Sequence, residues 1–233
     1  MCSPNWFNGK SINEVEFCTE FVQNRPLKCI GGKLYDIDGE ISNSEICHDI
    51  SVMLTEFVTT GISRKVKSLL KALKLFSHSE PIPVLENEIH LLNGILKTDG
   101  TWISEKQFCV NRLNVFYRSE MQNNNNSPDN FIKFLYELLD FEDVKTLQEY
   151  LGYCLIPSTK GQAMLFIIGN GGEGKSRIGV VLQEIFKCAM VTGNFQRIET
   201  DRFFRYNLQN KLLMFDDDMQ MRHCQRRELL KIL

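Results

Sequence analysis

An apolar run, AMLFII at residues 163–168, leads directly into the glycine-rich stretch GNGGEGKS at residues 169–176. The second stretch follows the pattern G-x-x-x-x-G-K-[ST], and residues 177–186 continue it with the apolar spacing of a helix. The apolar run predicts a buried parallel strand. A strand, a glycine-rich loop and a helix in this order are typical of a loop that binds nucleotide phosphates.

The residue types in this loop suit a phosphate ligand. Glycines let backbone N–H groups converge without obstruction by side chains, and the start of the helix adds partial positive charge. Lys175 would bridge the β- and γ-phosphates of ATP, and Ser176 would bind Mg²⁺. The predicted nucleotide contacts are Gly169, Asn170, Gly171, Gly172, Glu173, Gly174, Lys175, Ser176 and Arg177.

A second apolar run, LLMF at residues 212–215, ends in the three acids Asp216, Asp217 and Asp218. In open α/β sheets, ligands bind at the carboxyl ends of the strands. We predict that Asp216 holds Mg²⁺ through water and that Asp217 polarises the attacking water, so that both join Lys175 as catalytic residues. Adjacent carboxylates repel one another without a cation, which favours a metal. The alternative is an acidic turn that only caps the next segment.

The chain before the loop predicts short helices and hairpins. Apolar spacing indicates helices at residues 12–24, 45–59 and 63–76, and one long helical stretch at residues 128–154 that Ser127 would cap. Glycine-containing turns join the predicted strands; they are Gly31-Gly32, Asp38-Gly39, Asn93-Gly94 and Asp99-Gly100. Residues 122–130 are polar and unpatterned, and are the best candidate for a linker.

The helix predicted at residues 63–76 has two distinct faces. Its apolar face is Val66, Leu69, Leu70, Leu73 and Phe76, and its remaining surface carries Arg64, Lys65, Lys67, Lys71 and Lys74 without an acid. One interpretation is a solvated basic face. The other is that Lys67, Lys71 and Lys74 contact the phosphate backbone of DNA.

Composition excludes several classes of protein. Hydrophobic residues are 43% and charged residues 24%, which excludes a disordered or collagen-like chain, and a net charge of −2 excludes a globally basic one. The eight cysteines lack C-x-x-C spacing, which predicts free thiols rather than a zinc site. No apolar run approaches the ~18 residues of a membrane span, and MCSPNWFNGK lacks a signal peptide's apolar region. We therefore expect a cytoplasmic protein without a membrane partner.

Six stretches together resemble the superfamily 3 helicases, and more narrowly the primase–helicase replication proteins of phages, plasmids and poxviruses. They are NGIL at 93–96, FIKFL at 131–135, LQEYLGY at 147–153, GNGGEGKS at 169–176, DRFF at 201–204 and NKLLMFDDDM at 210–219. The resemblance implies an AAA+-like ATPase that forms rings, usually hexameric, and hydrolyses ATP with Mg²⁺ to unwind DNA. Implied partners are single-stranded or forked DNA, further copies of the chain, and a primase domain or other replication proteins.

The resemblance also implies parts that follow the strand predicted at residues 212–215: a DNA-contacting loop, a sensor strand and an arginine finger. Since the sequence ends at Leu233, we expect the ATPase to be incomplete. The predicted fold is mixed α/β, with an accessory domain of helices and short hairpins at 1–122, a linker and helical lead-in at 123–160, and the first half of the ATPase at 161–233. Two alternatives are a non-catalytic remnant that binds nucleotide or DNA or interferes with intact rings, and a small P-loop kinase. The kinase is disfavoured because no arginine-bearing lid segment follows the loop.

Overall fold

The computed structural model describes residues 4–118, 128–169 and 172–217, which form a mixed α/β structure, as predicted. The described residues pack into two units. Unit 1 comprises Met1–Pro83 with Phe108–Val110, and unit 2 comprises Val84–Gln107 with Asn111–Leu233. The predicted domains at 1–122, 123–160 and 161–233 stay predictions, and the first of their boundaries lies in residues 119–127, outside the described residues.

Unit 1 combines three helices with a small antiparallel sheet. Its helices are α1 (Glu14–Asn24), α2 (Asn43–Thr55) and α3 (Ile62–Phe76), and its strands are β1 (Lys28–Ile30), β2 (Lys33–Asp36) and β3 (Gly39–Ile41). The strands lie in the order β1-β2-β3. Gly31 and Gly32 form the first turn with φ values of 57° and 80°, which confirms the predicted hairpin and explains its two glycines.

The core of unit 1 forms between the helices and the sheet. The ring of Trp6 packs edge-on against Phe17, with their centroids 5.2 Å apart, and both side chains are almost fully buried. Val66, Leu69 and Leu73 of α3 are buried in the same core, which confirms most of the predicted apolar face. Phe76 is half-exposed, so its predicted burial is wrong. It is the last residue of α3, and the backbone of Ser77 already pairs with β1 there.

Arg25, just after α1, joins three acids of unit 1. Its guanidinium lies 2.8 Å from Asp36, 2.7 Å from Glu45 and 2.5 Å from Asp49. Burial lowers the pKa of Arg25, but its hydrogen bonds to Glu45, Asp36 and Asp49 outweigh burial and raise the pKa above its usual range. Asp36 ends β2 while Glu45 and Asp49 lie on α2, so one side chain ties α1, the sheet and α2 together.

Unit 2 carries the glycine-rich loop. Its helices are α4 (Asp129–Leu138), α5 (Phe141–Cys154), α6 (Ser176–Phe186), α7 (Arg197–Thr200) and α8 (Arg202–Leu208), and its strands are β4 (Glu88–Leu91), β5 (Gly94–Lys97), β6 (Trp102–Ile103), β7 (Met190–Thr192) and β8 (Leu213–Phe215). Strands β4-β5-β6 form an antiparallel sheet, whereas β7 and β8 pair in parallel.

The helical stretch predicted at residues 128–154 is two helices, so its continuity was predicted wrongly. The backbone is extended at Leu139 and Asp140, with ψ values of 151° and 159°. Glu142 and Asp143 then lie in the first turn of α5, where acids interact favourably with the helix dipole. The cluster of acids marks the start of a second helix inside one apolar pattern.

The prediction of a strand at residues 163–168 is wrong, because the described structure has no strand there. The run has no strand pairing in the described part of the chain, and Phe166 and Ile168 are 41% and 79% exposed. Leu165 and Ile167 instead pack against the core of unit 2. Apolar residues alone do not make a strand, because a strand also needs a neighbour to pair its backbone N–H and C=O groups.

His90 on β4 is partly buried beside Arg112. Its Nδ1 and the Nε of Arg112 have no hydrogen-bond partner among the described residues. The Arg112 guanidinium donates instead to the carbonyl oxygens of Leu91 and Gln107, at 2.5 and 2.6 Å. Burial, and then the charge of Arg112, lower the pKa of His90 from 6.5 to about 4.

This shift predicts a loss of stability in acid. Between the two pKa values the unfolded chain binds a proton at His90 that the folded chain does not, so stability present above pH 6.5 is lost as the pH falls towards 4. We expect the contribution of His90 to fall by about 2 kcal/mol between pH 7 and about pH 5. Urea unfolding of the wild type and His90→Gln at several pH values measures it. The same pH dependence in both proteins would contradict the prediction.

Membrane-spanning helices and metal-binding clusters are absent from the described part of the chain. No helix there combines the length and the apolar character needed to cross a membrane. Within the same residues, no group of three or more histidines, cysteines or acids has the arrangement of a metal site. Six of the cysteines are described, and none of the six forms a disulfide bond: Cys18, Cys29, Cys47, Cys109, Cys154 and Cys188.

Candidate nucleotide-binding site

The glycine-rich loop ends at the start of α6, as its sequence predicted. Gly172 and Gly174 have φ values of 74° and 96°, a conformation that favours glycine, whereas Asn170 and Gly171 lie outside the described residues. The N-cap residue of α6, Lys175, makes no capping hydrogen bond with its side chain, and no acid lies in the first turn of the helix. Ser176 and Arg177 are exposed there. An uncapped helix N-terminus without nearby helical acids suits an anionic ligand.

The Lys175 side chain lies beside the acid of its own loop. Its Nζ is 2.6 Å from Glu173 Oε2. A Cβ atom added to Gly169 would collide with both the Glu173 carboxylate and the Lys175 ammonium. Because Gly169 has no side chain, there is room beside it for the two charged groups to meet.

Two aromatic residues of the same unit contact the loop or the segment that precedes it. Phe134 of α4 lies against Gly174, since a Cβ atom there would be 3.3 Å from the ring. Tyr153 of α5 donates a hydrogen bond to the Ser158 carbonyl at 2.6 Å and accepts one from the Gly161 N–H at 2.9 Å, which fixes the segment before the apolar run. Sequence reasoning assigned no role to Phe134 or Tyr153. The only signal was their place in the FIKFL and LQEYLGY stretches of the resemblance.

Gly179 brings α6 against β8. A Cβ atom on Gly179 would be 2.5 Å from the Phe215 ring, so only glycine allows this approach. Phe215 ends β8, which confirms the strand predicted at residues 212–215, and Asp216 follows it directly. The contact thus holds the residue before Asp216 against the helix that starts at Ser176. Both proposed Mg²⁺ ligands therefore extend from elements that pack on each other.

This contact predicts opposite effects for two helical glycines. Gly179→Ala should destabilise unit 2 by about 1–2 kcal/mol, because the methyl group overlaps Phe215. Gly152→Ala on α5 meets nothing within 4 Å and should stabilise by about 0.5–1 kcal/mol, because alanine loses less backbone entropy. Urea unfolding followed by circular dichroism measures both variants. A Gly179→Ala protein as stable as Gly152→Ala would contradict the contact.

Asp216 has a structural partner as well as a proposed chemical role. Its Oδ2 accepts a hydrogen bond of 2.7 Å from the Phe195 N–H, in the turn that follows β7. Asp217 is exposed, and Asp218 lies outside the described residues. The hydrogen bond orients the Asp216 carboxylate at the carboxyl end of the parallel pair. Since Mg²⁺ in nucleotide sites often uses one or two carboxylates plus the phosphates, this donor set fits the ion.

The lysines predicted to contact DNA differ in their surroundings in unit 1. Lys74 donates a hydrogen bond of 2.9 Å to the Gly32 carbonyl, at the turn between β1 and β2. Lys67 and Lys71 are exposed and have no hydrogen-bond or ion-pair partner within the described residues. Lys67 and Lys71 are thus available to a ligand, whereas Lys74 also serves the fold.

A scan against protein-family models finds no match for the chain, and a search of curated proteins finds no significant similarity. The features that indicate a function are therefore the sequence of the loop and the geometry around Lys175, Gly179 and Asp216.

Proposed function

We propose that the chain binds ATP with Mg²⁺ and belongs to the ATPase module of a DNA helicase, of the phage or plasmid primase–helicase type. The observation that carries this proposal is the phosphate-loop sequence, which ends at the N-terminus of α6, where the side chain of Lys175 makes no capping hydrogen bond. The close packing of α6 on β8 at Gly179 supports it, since it joins the loop helix to the acidic strand end.

Each site residue has a role in the proposed reaction. The N–H groups of the loop and Lys175 would hold the β- and γ-phosphates, and the Ser176 hydroxyl would bind Mg²⁺. Asp216 would hold the ion through water, and Asp217 would orient the water that attacks the γ-phosphate. Mg²⁺ supplies neutralisation of the charge that develops on the phosphate oxygens.

DNA and further copies of the chain are the proposed partners. Lys67 and Lys71 support DNA as a partner, because two exposed lysines on one helix, without an ion-pair partner among the described residues, are the residue type that contacts phosphate backbones. Ring formation, and a primase domain or other replication proteins as partners, rest on the resemblance alone.

A second candidate function is nucleotide binding without turnover. Two hydrogen bonds favour it, since Asp216 already accepts from the Phe195 N–H and Lys175 already pairs with Glu173. Two of the groups needed for hydrolysis thus have partners inside the protein. In this case the chain would act as a non-catalytic module.

Binding and turnover of ATP test these proposals together. The purified chain is titrated with Mg-ATP by calorimetry, and phosphate release is then measured with and without single-stranded DNA. Binding with DNA-stimulated hydrolysis supports the motor, whereas binding without hydrolysis supports the non-catalytic module. If the folded chain does not bind Mg-ATP, the nucleotide site itself is disproved.

A further inference from the structure

Glu173 places a negative charge inside the loop that is proposed to receive phosphate. Its Oε2 lies 2.6 Å from Lys175 Nζ, and both groups occupy the space above Gly169. The pattern G-x-x-x-x-G-K-[ST] leaves the residue at position 173 open, so the motif itself does not require an acid there. The acid is a property of this chain.

We propose that Glu173 is an internal competitor for the nucleotide and sets the affinity of the site. Its carboxylate oxygen occupies the position at which Lys175 would otherwise bind a phosphate oxygen. This proposal rests on the proposed function, because it assumes that phosphate binds at Lys175. Binding of the nucleotide must then replace the ion pair between Lys175 and Glu173 with one between Lys175 and a phosphate.

The chemistry of the two anions supports this exchange. A carboxylate and a phosphate both accept charge-assisted hydrogen bonds from an ammonium group, but two anions at one ammonium repel each other. Glu173 must therefore turn away before the β- and γ-phosphates reach Lys175. Its side chain is 39% exposed, so it can turn into water. The competition is accordingly modest, and it lowers affinity without blocking the site.

Competition at the lysine also predicts which part of the nucleotide is affected. The Glu173 carboxylate repels the phosphates and has no effect on the base or the ribose. Tripolyphosphate should therefore respond to a change at Glu173 as ATP does, whereas adenosine should not. Because Mg²⁺ neutralises part of the phosphate charge, the effect should be larger without the ion.

Glu173→Gln tests the proposal, because glutamine keeps the shape of the side chain and removes its charge. Calorimetry on the full chain should show about tenfold tighter binding of Mg-ATP and of tripolyphosphate than in the wild type. Glu184→Gln is the matched control: it lies on α6, pairs with Lys187 at 2.7 Å and removes the same net charge. Its affinity should equal that of the wild type.

The outcomes separate the two proposals. Equal or weaker binding by Glu173→Gln, with the wild type binding Mg-ATP, overturns the competitor and leaves the nucleotide site intact. Equal gains in Glu173→Gln and Glu184→Gln also overturn it, because the effect would then be one of net charge. If all three folded proteins fail to bind ATP and tripolyphosphate, both proposals fail. Thermal unfolding of each protein confirms that it is folded.

Discussion

Lys175→Ala should lower the affinity for Mg-ATP by about a hundredfold, which would abolish detectable binding if the wild type binds weakly. The lysine is the cation that is proposed to bridge the β- and γ-phosphates. Its removal takes away charge-assisted hydrogen bonds to the phosphates that water replaces poorly. The change also leaves Glu173 without its partner at 2.6 Å, so the loop becomes more negative where phosphate should bind.

Calorimetric titration with Mg-ATP measures this effect, and Lys133→Ala is the control. Lys133 is an exposed lysine on α4 whose Nζ lies 3.9 Å from Glu137, so its removal changes net charge equally and should leave affinity unchanged. The double variant Lys175→Ala with Glu173→Gln should recover part of the lost affinity, because the repelling charge is gone. Undiminished binding by Lys175→Ala would disprove the loop as the nucleotide site.

Arg25→Ala should destabilise unit 1 by about 3 kcal/mol. The change removes the shared partner of Asp36, Glu45 and Asp49 and leaves three carboxylates close together. Asp36 is buried, so solvent compensates its charge least well. The change also removes the ion pairs that tie the end of α1 to the sheet and to α2.

The fluorescence of Trp6 reports this unfolding separately from that of unit 2. The chain has two tryptophans, Trp6 in the core of unit 1 and Trp102 in unit 2, so a Trp102→Phe background leaves one reporter. Urea unfolding of Arg25→Ala in this background gives the change in free energy. Arg25→Lys keeps the charge without the branched guanidinium and should lose about half as much. Stability equal to that of the wild type would show that the four charges do not stabilise unit 1.

Much of the local structure was predictable from residue spacing. The helix after the loop follows from its apolar repeat, and the turn at Gly31-Gly32 follows from the freedom of glycine at positive φ. The strand at Leu213–Phe215 follows from an apolar run that ends in acids. Each of these signals is contained within a few neighbouring residues.

Contacts between distant residues were not predictable in the same way. The run at residues 163–168 is more apolar than β8, yet only β8 is a strand, because β7 pairs with it. Gly179 has an ordinary place in a helical pattern, and only the Phe215 ring explains why it lacks a side chain. Arg25 gives no sequence signal, since its three acids lie 11, 20 and 24 residues away.

The sequence by itself determined the identity of the candidate site. The glycines, Lys175 and Ser176 lie in one short stretch, so their order along the chain sets which groups can meet a phosphate. Only the tertiary structure decided that Glu173 folds back onto Lys175, that Asp216 binds the Phe195 N–H, and that α6 packs on β8. The energies of ion pairs and hydrogen bonds depend on the distance between the two groups in space. That distance is set by how the chain packs, and it cannot be read from the order of the residues.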